Sequence, residues 1–177
     1  MPEPRIPLVA IPPEVEARLA ELGGRPINLY HCLASNPAML RAWVEFAWAI
    51  RNQCTTPRRL RELMIVRGAQ ICRSEYELTH HSAMALAAGV SADELEALEG
   101  WRQSSLFSAA ERAALALMEG VVALSVSDEV SAELSRHFSD AERVELTMTA
   151  GAYSMVPRLL DALAVPLEEA RGSTQER

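Results

Sequence analysis

Arg59-Leu60-Arg61-Glu62-Leu63-Met64-Ile65-Val66-Arg67, then Cys72-Arg73-Ser74-Glu75-Tyr76-Glu77-Leu78-Thr79-His80-His81, is the stretch on which the reading of this 177-residue chain turns. Thr56-Pro57 precedes it as a helix start. Proline at the first helical position gives up an amide that would lack a partner there anyway. Leu60, Leu63, Met64, Val66 and Ile71 follow at helical spacing, enough for a mostly buried helix. The composition changes at Cys72-Arg73-Ser74, where a break is expected. A second helix runs from about Glu75 to near Gly89, a residue suited to the left-handed conformation that ends helices.

Outward from there, helix starts recur and strand patterns do not. Asn36-Pro37 opens a helix to about Asn52. Ser91 with Glu94, Ser108 with Glu111 and Ser139 with Glu142 are capping boxes, in which serine accepts from the third helical amide and the glutamate reaches back. Ser127 caps a helix from Asp128 to about Phe138, and the last long helix spans Asp140 to Leu163 with a kink expected at Pro157. A short helix from Glu14 to about Leu22 stops at Gly23-Gly24. Residues 1–13 hold five prolines and read as an extended arm, and the polar tail after Pro166 is expected to fray. The expectation is an all-α fold of about seven or eight helices in a single domain over residues 1–177.

Composition narrows the function. Lys+Arg number 17 against 24 Asp+Glu, a net charge of −7, which argues against a nucleic-acid partner. No apolar run approaches the ~20 residues of a membrane span, and the start does not read as a signal peptide. Three scattered cysteines, Cys32, Cys54 and Cys72, do not make a disulfide framework, so a cytoplasmic location is expected. Aromatics are only 5 %, so the core is built from Ala, Leu, Val and Met, a composition for close helix packing.

The chemistry concentrates around His80-His81. On a helix, Ser74, Glu77 and His81 share one face, and Glu77 and His81 are close enough to touch. A carboxylate beside imidazole orients it and raises its basicity, as in a general acid/base pair. The same spacing also suits a plain helix-surface pair worth a few tenths of a kcal/mol, with His80 an exposed neighbour or an interface residue. Tyr76 lies in the same stretch. Glu77-Leu78-Thr79-His80 has the Glu-x-x-His pattern of di-iron bundles, but those need two copies and the chain has one. No metal site and no cofactor are expected. Cys72, beside Arg73 and near both histidines, sits where a thiol pKa can fall; a small buried apolar role is the alternative.

These two segments, with Ala85-Leu86-Ala87-Ala88-Gly89-Val90, resemble the carboxymuconolactone decarboxylase family of the alkyl hydroperoxidase D-like superfamily. The closing segment from Tyr153 to Glu168 is similar to that of one subgroup, and the resemblance covers about residues 36–168. It implies an alkyl hydroperoxidase D-like helical fold, a homotrimer or a hexamer of two trimers, and active sites near subunit interfaces. In the peroxidase branch a glutamate precedes Cys-x-x-Cys-x-x-x-His; the second cysteine attacks peroxide while glutamate and histidine relay protons. The glutamate falls on Glu62 and the histidine on His81, but Ser74 and Glu77 take the places of the cysteines. Serine and glutamate cannot cycle through sulfenate and disulfide. Cys72 lies about 200° round a helix from the first thiol position, so it replaces that thiol only if the backbone breaks.

The decarboxylase branch uses no thiol pair. The resemblance therefore implies an acid/base enzyme of decarboxylase or lyase type acting on a small organic acid or lactone, with Glu62, Glu77 and His81 as its catalytic set. Arg67 would hold a substrate carboxylate, or pair with Glu62 or Glu77. Two alternatives stand beside it: an alkyl hydroperoxide reductase using Cys72, and a non-catalytic helical oligomer.

Overall fold

The computed structural model describes residues 3–168. Among them nine α-helices follow in order: α1 (Pro13–Glu21), α2 (Asn28–Leu33), α3 (Pro37–Asn52), α4 (Arg58–Cys72), α5 (Glu75–Ala87), α6 (Ala92–Ala97), α7 (Ala109–Val122), α8 (Asp128–His137) and α9 (Asp140–Leu163). A single 3-10 turn, Leu98–Gly100, follows α6, and the described residues hold no strand. The all-α expectation holds; the helix that sequence reading misses is α2, which opens at Ile27 without a side-chain cap and so carries no start signal. α9 passes through Pro157 without ending. Of the expected frayed tail, residues 169–177 lie outside the described residues. Among the described residues no helix is long and apolar enough to cross a membrane.

The described chain divides into two compact units, residues 3–48 with 159–168, and residues 49–158. In the first, the proline-rich arm is tied down by backbone pairing rather than by helix. Val9 N donates to the His31 carbonyl at 3.1 Å, and Arg5 reaches the carbonyls of Asp161 and Ala162 at 2.9 and 2.8 Å. Val15, Leu19, Leu29, Leu40 and Val44 fill this unit's buried positions.

The second unit carries the chemistry. α4 packs on both α5 and α7, and α7 on α8. Its core joins Leu63 and Val66 of α4 with Ala85, Val90, Leu98, Trp101, Phe107 and Leu115. Each large aliphatic so buried contributes about 1.5–3 kcal/mol. At Gly68 a Cβ would collide with the terminal methyl of Met118 on α7. Glycine costs about 1 kcal/mol in a helix, and here it leaves room for that methyl.

All three predicted capping boxes form. Ser91 Oγ accepts from Glu94 N at 3.1 Å while Glu94 Oε2 accepts from Ser91 N at 2.8 Å, and Ser108/Glu111 and Ser139/Glu142 repeat the pattern. Arg59 then spans two of these boxes, pairing with both Glu94 and Glu111 and donating to the Gly89 carbonyl at 3.2 Å. The break between α4 and α5 falls where the composition placed it. Arg73 takes the left-handed conformation (φ 53°, ψ 40°), and Ser74 caps α5 by accepting from Glu77 N at 3.4 Å. That turn folds α5 back along α4 and brings residues 19 positions apart face to face.

Candidate active site

The polar centre of the second unit is His81, enclosed with Glu62 of α4 and Glu77 of its own helix. His81 Nδ1 donates to Glu62 Oε2 at 2.8 Å, which leaves Nε2 as the ring nitrogen turned toward Glu77. The other oxygen of Glu62 meets the Arg58 guanidinium one helical turn earlier. Burial alone would raise the Glu62 pKa. The His81 bond and the charges of His81 and Arg58 outweigh it and hold the carboxyl below the ordinary value. Glu62 is therefore the ionised carboxylate of the site.

Glu77 is the opposite case. Burial pushes its pKa up, and the charges of His81, Arg51 and His80 offset this only in part. Its Oε2 lies 3.6 Å from His81 Nε2, too far for a hydrogen bond, and has no hydrogen-bond partner. The arrangement sets a carboxyl of lowered pKa and a carboxyl of raised pKa on either side of one imidazole.

α9 contributes Tyr153. Its ring meets the His81 ring edge-on, centroids 4.8 Å apart at 83°, and its hydroxyl accepts from Arg51 Nε at 3.2 Å. Burial raises the phenol pKa, so it keeps its proton. The start of α4 is pinned from α9 as well: Glu145 accepts from Thr55 N and Thr56 N at 2.8 Å each. Arg58 and Arg61 both donate to the Arg51 carbonyl, at 3.1 and 3.0 Å.

The sequence-predicted residues divide. Glu62, Glu77 and His81 come together. Ser74 is the α5 cap. Tyr76 is buried and its ring lies 4.6 Å from that of the half-buried His80, tilted by 43°. Cys72 is half-buried at the end of α4, and burial pushes its thiol pKa up although Arg158 pulls it down; the lowering suggested by Arg73 and the histidines is not found. Arg67 pairs with neither Glu62 nor Glu77. It lies about 140° round α4 from Glu62 and binds Glu119 at 2.8 Å. Arg51, Arg58 and Tyr153 were missed. Arg58 was legible as the residue four before Glu62; nothing local marked Arg51 or Tyr153. Among the described residues no three His, Cys, Asp or Glu side chains gather as a metal site would require.

The helices of the described residues take the alkyl hydroperoxidase D-like fold. The chain is similar in structure to a protein from Ralstonia eutropha described as an alkylhydroperoxidase AhpD core, uncharacterized and peroxidase-related (TM-score 0.80, 16 % identity, 96 % of this chain and 94 % of that one). It is also similar to the debrominase Bmp8 (TM-score 0.75, 19 % identity, 91 % of each chain). The sequence pattern of the carboxymuconolactone decarboxylase family matches residues 37–120. The uncharacterized protein YnjA of Escherichia coli is 32 % identical over 123 residues, 68 % of each chain. This chain belongs to the carboxymuconolactone decarboxylase family.

Proposed function

We propose that the protein is an acid/base enzyme of decarboxylase or lyase type acting on a small organic acid or lactone. Its similar structures are described as peroxidase-related and as a debrominase, so the fold by itself selects no reaction and the side chains must. The observation that carries the reading is the Glu62–His81–Glu77 row, with burial and partners lowering the pKa of one carboxyl and raising that of the other. In a decarboxylation the bond to the carboxylate breaks and its electron pair passes to the neighbouring carbon and its conjugated carbonyl. Carbon dioxide leaves, and the carbon takes up one proton. Glu77 supplies that proton. His81 Nε2 takes one from solvent and returns it to Glu77, while Glu62 stabilises the imidazolium formed on the way.

The thiol route gains no support, because burial disfavours the Cys72 thiolate that would attack a peroxide. We also read the chain as a homo-oligomer. The support is an exposed apolar row along α9, Val144, Met148 and Met155, of the kind that covers itself by association. The test is a turnover screen of lactones and small carboxylic acids with the purified protein, run alongside hydroperoxide with a dithiol. Lactone or acid turnover that vanishes in His81→Ala supports the reading. Peroxide consumption lost in Cys72→Ser overturns it.

A further inference from the structure

We propose that two copies of the chain pair through the outward face of α9, antiparallel about a twofold axis, with Met148 of each copy seated in the notch at Gly151 of the other. This rests on the homo-oligomer reading above and gives it a surface, an orientation and a symmetry.

α9 is held to the chain's own interior by Leu146, Thr149, Ala150, Tyr153 and Val156. At 100° per residue the opposite side carries Asp140, Val144, Met148, Gly151, Met155 and Arg158 within about 80°. Val144, Met148 and Met155 are 63 %, 47 % and 40 % exposed. A helix that is apolar on both sides is suited to being covered on both. Gly151 lies among these three, and a Cβ there would meet nothing within 4 Å beyond the helix's own backbone. Glycine weakens a helix interior, and no close approach within the chain calls for it at this position.

The pattern on this face complements itself end for end. Met148 and Gly151 pair a large side chain with a notch, Val144 and Met155 pair two apolar side chains, and Asp140 and Arg158 pair an acid with a base. The first two pairs are centred between Thr149 and Ala150 and the third on Thr149, a difference of about 0.8 Å of helix rise. One antiparallel twofold contact therefore satisfies all three pairs at once, as an isologous interface requires. Parallel pairing would set Met148 on Met148 and like charges on each other at both ends. Within the chain Asp140 meets Arg143, and Arg158 donates to the Ser154 carbonyl and hydroxyl. These are contacts on an exposed surface, and such pairs hold a charge only weakly.

Light scattering and sedimentation velocity on the full chain test the pairing. An assembly with an even number of chains is expected. A side chain at Gly151 projects into open space in the single chain, so Gly151→Gln keeps the fold by circular dichroism and obstructs only the contact. It should halve the mass of the assembly, with self-association weakened at least about tenfold. Asp140→Lys and Arg158→Glu each place like charges at both ends and should weaken association about tenfold at low salt. Their equimolar mixture should associate as the parent does, because every end then joins opposite charges. An assembly of odd number overturns the proposal, as does a mixture that associates no better than its two components. The two readings fail separately: an oligomer indifferent to all three substitutions sinks the α9 pairing alone, whereas a monomeric parent sinks the homo-oligomer reading with it.

Discussion

Two carboxylates met by α4 show how the same chemical group serves opposite ends. Glu119 on α7 is saturated with donors. Trp101 Nε1 reaches it at 2.9 Å, Arg67 at 2.8 Å and Arg102 at 2.5 Å, and together they hold its pKa down against burial. Every lone pair that matters has a partner, and the group can do nothing but stay ionised. Glu77, more deeply buried, has too few donors, and burial pushes its pKa up instead. Surplus donors make a strut, and a deficit makes an acid. The comparison also explains why Arg67, the cation that looked available on the site helix, belongs to the strut.

The sharpest way to break this contrast is to delete one group from each centre. His81→Ala is expected to lower turnover about a thousandfold while circular dichroism still reports a helical fold. Glu119→Ala is expected to do the reverse. It strands Arg67 and the Trp101 indole, costs about 3 kcal/mol in urea unfolding, and leaves the pH profile of turnover in place. If Glu119→Ala shifts that profile, the two centres are coupled and the distinction fails.

A smaller effect sharpens the contrast within the site. Glu62 has a lowered pKa when folded, so its stabilising contribution is present above its unfolded value, near 4.3, and is lost as pH falls through the folded one. Glu62→Gln should therefore destabilise by about 2 kcal/mol at neutral pH and converge on the parent in acid. Glu77 has a raised pKa, so its contribution is full below the unfolded value and is lost as pH rises through the folded one. Glu77→Gln should match the parent near pH 4 and gain on it as the pH rises towards 8. Denaturant melts at the two pH values read both, and slopes of the same sign would show that the two protonation states are not opposed.

What the sequence disclosed follows the range of the forces involved. Serine with glutamate three positions on is a local device, and all three such pairs cap helices as expected. The Cys72-Arg73-Ser74 break is local too. α2 was invisible because its start has no capping side chain. Glu77 with His81 was readable as one helical turn. Glu62 opposite His81 came from family resemblance, since spacing alone does not tell how α5 folds back on α4. Arg51 and Tyr153 lie 102 positions apart and meet only through tertiary packing. The assignment of Arg67 to the site was avoidable, because five residues along a helix point about 140° away.

Arg59 has a kinetic consequence. One guanidinium ties together the capping glutamates of α6 and α7, so neither helix start can fray without loosening the other. The first-turn amides of both helices should exchange with deuterium in a single opening event rather than two. Arg59→Ala should split that event, with α6, the shorter helix, exchanging first. The beginnings of two separate helices then behave as one unit in time, tied through one guanidinium.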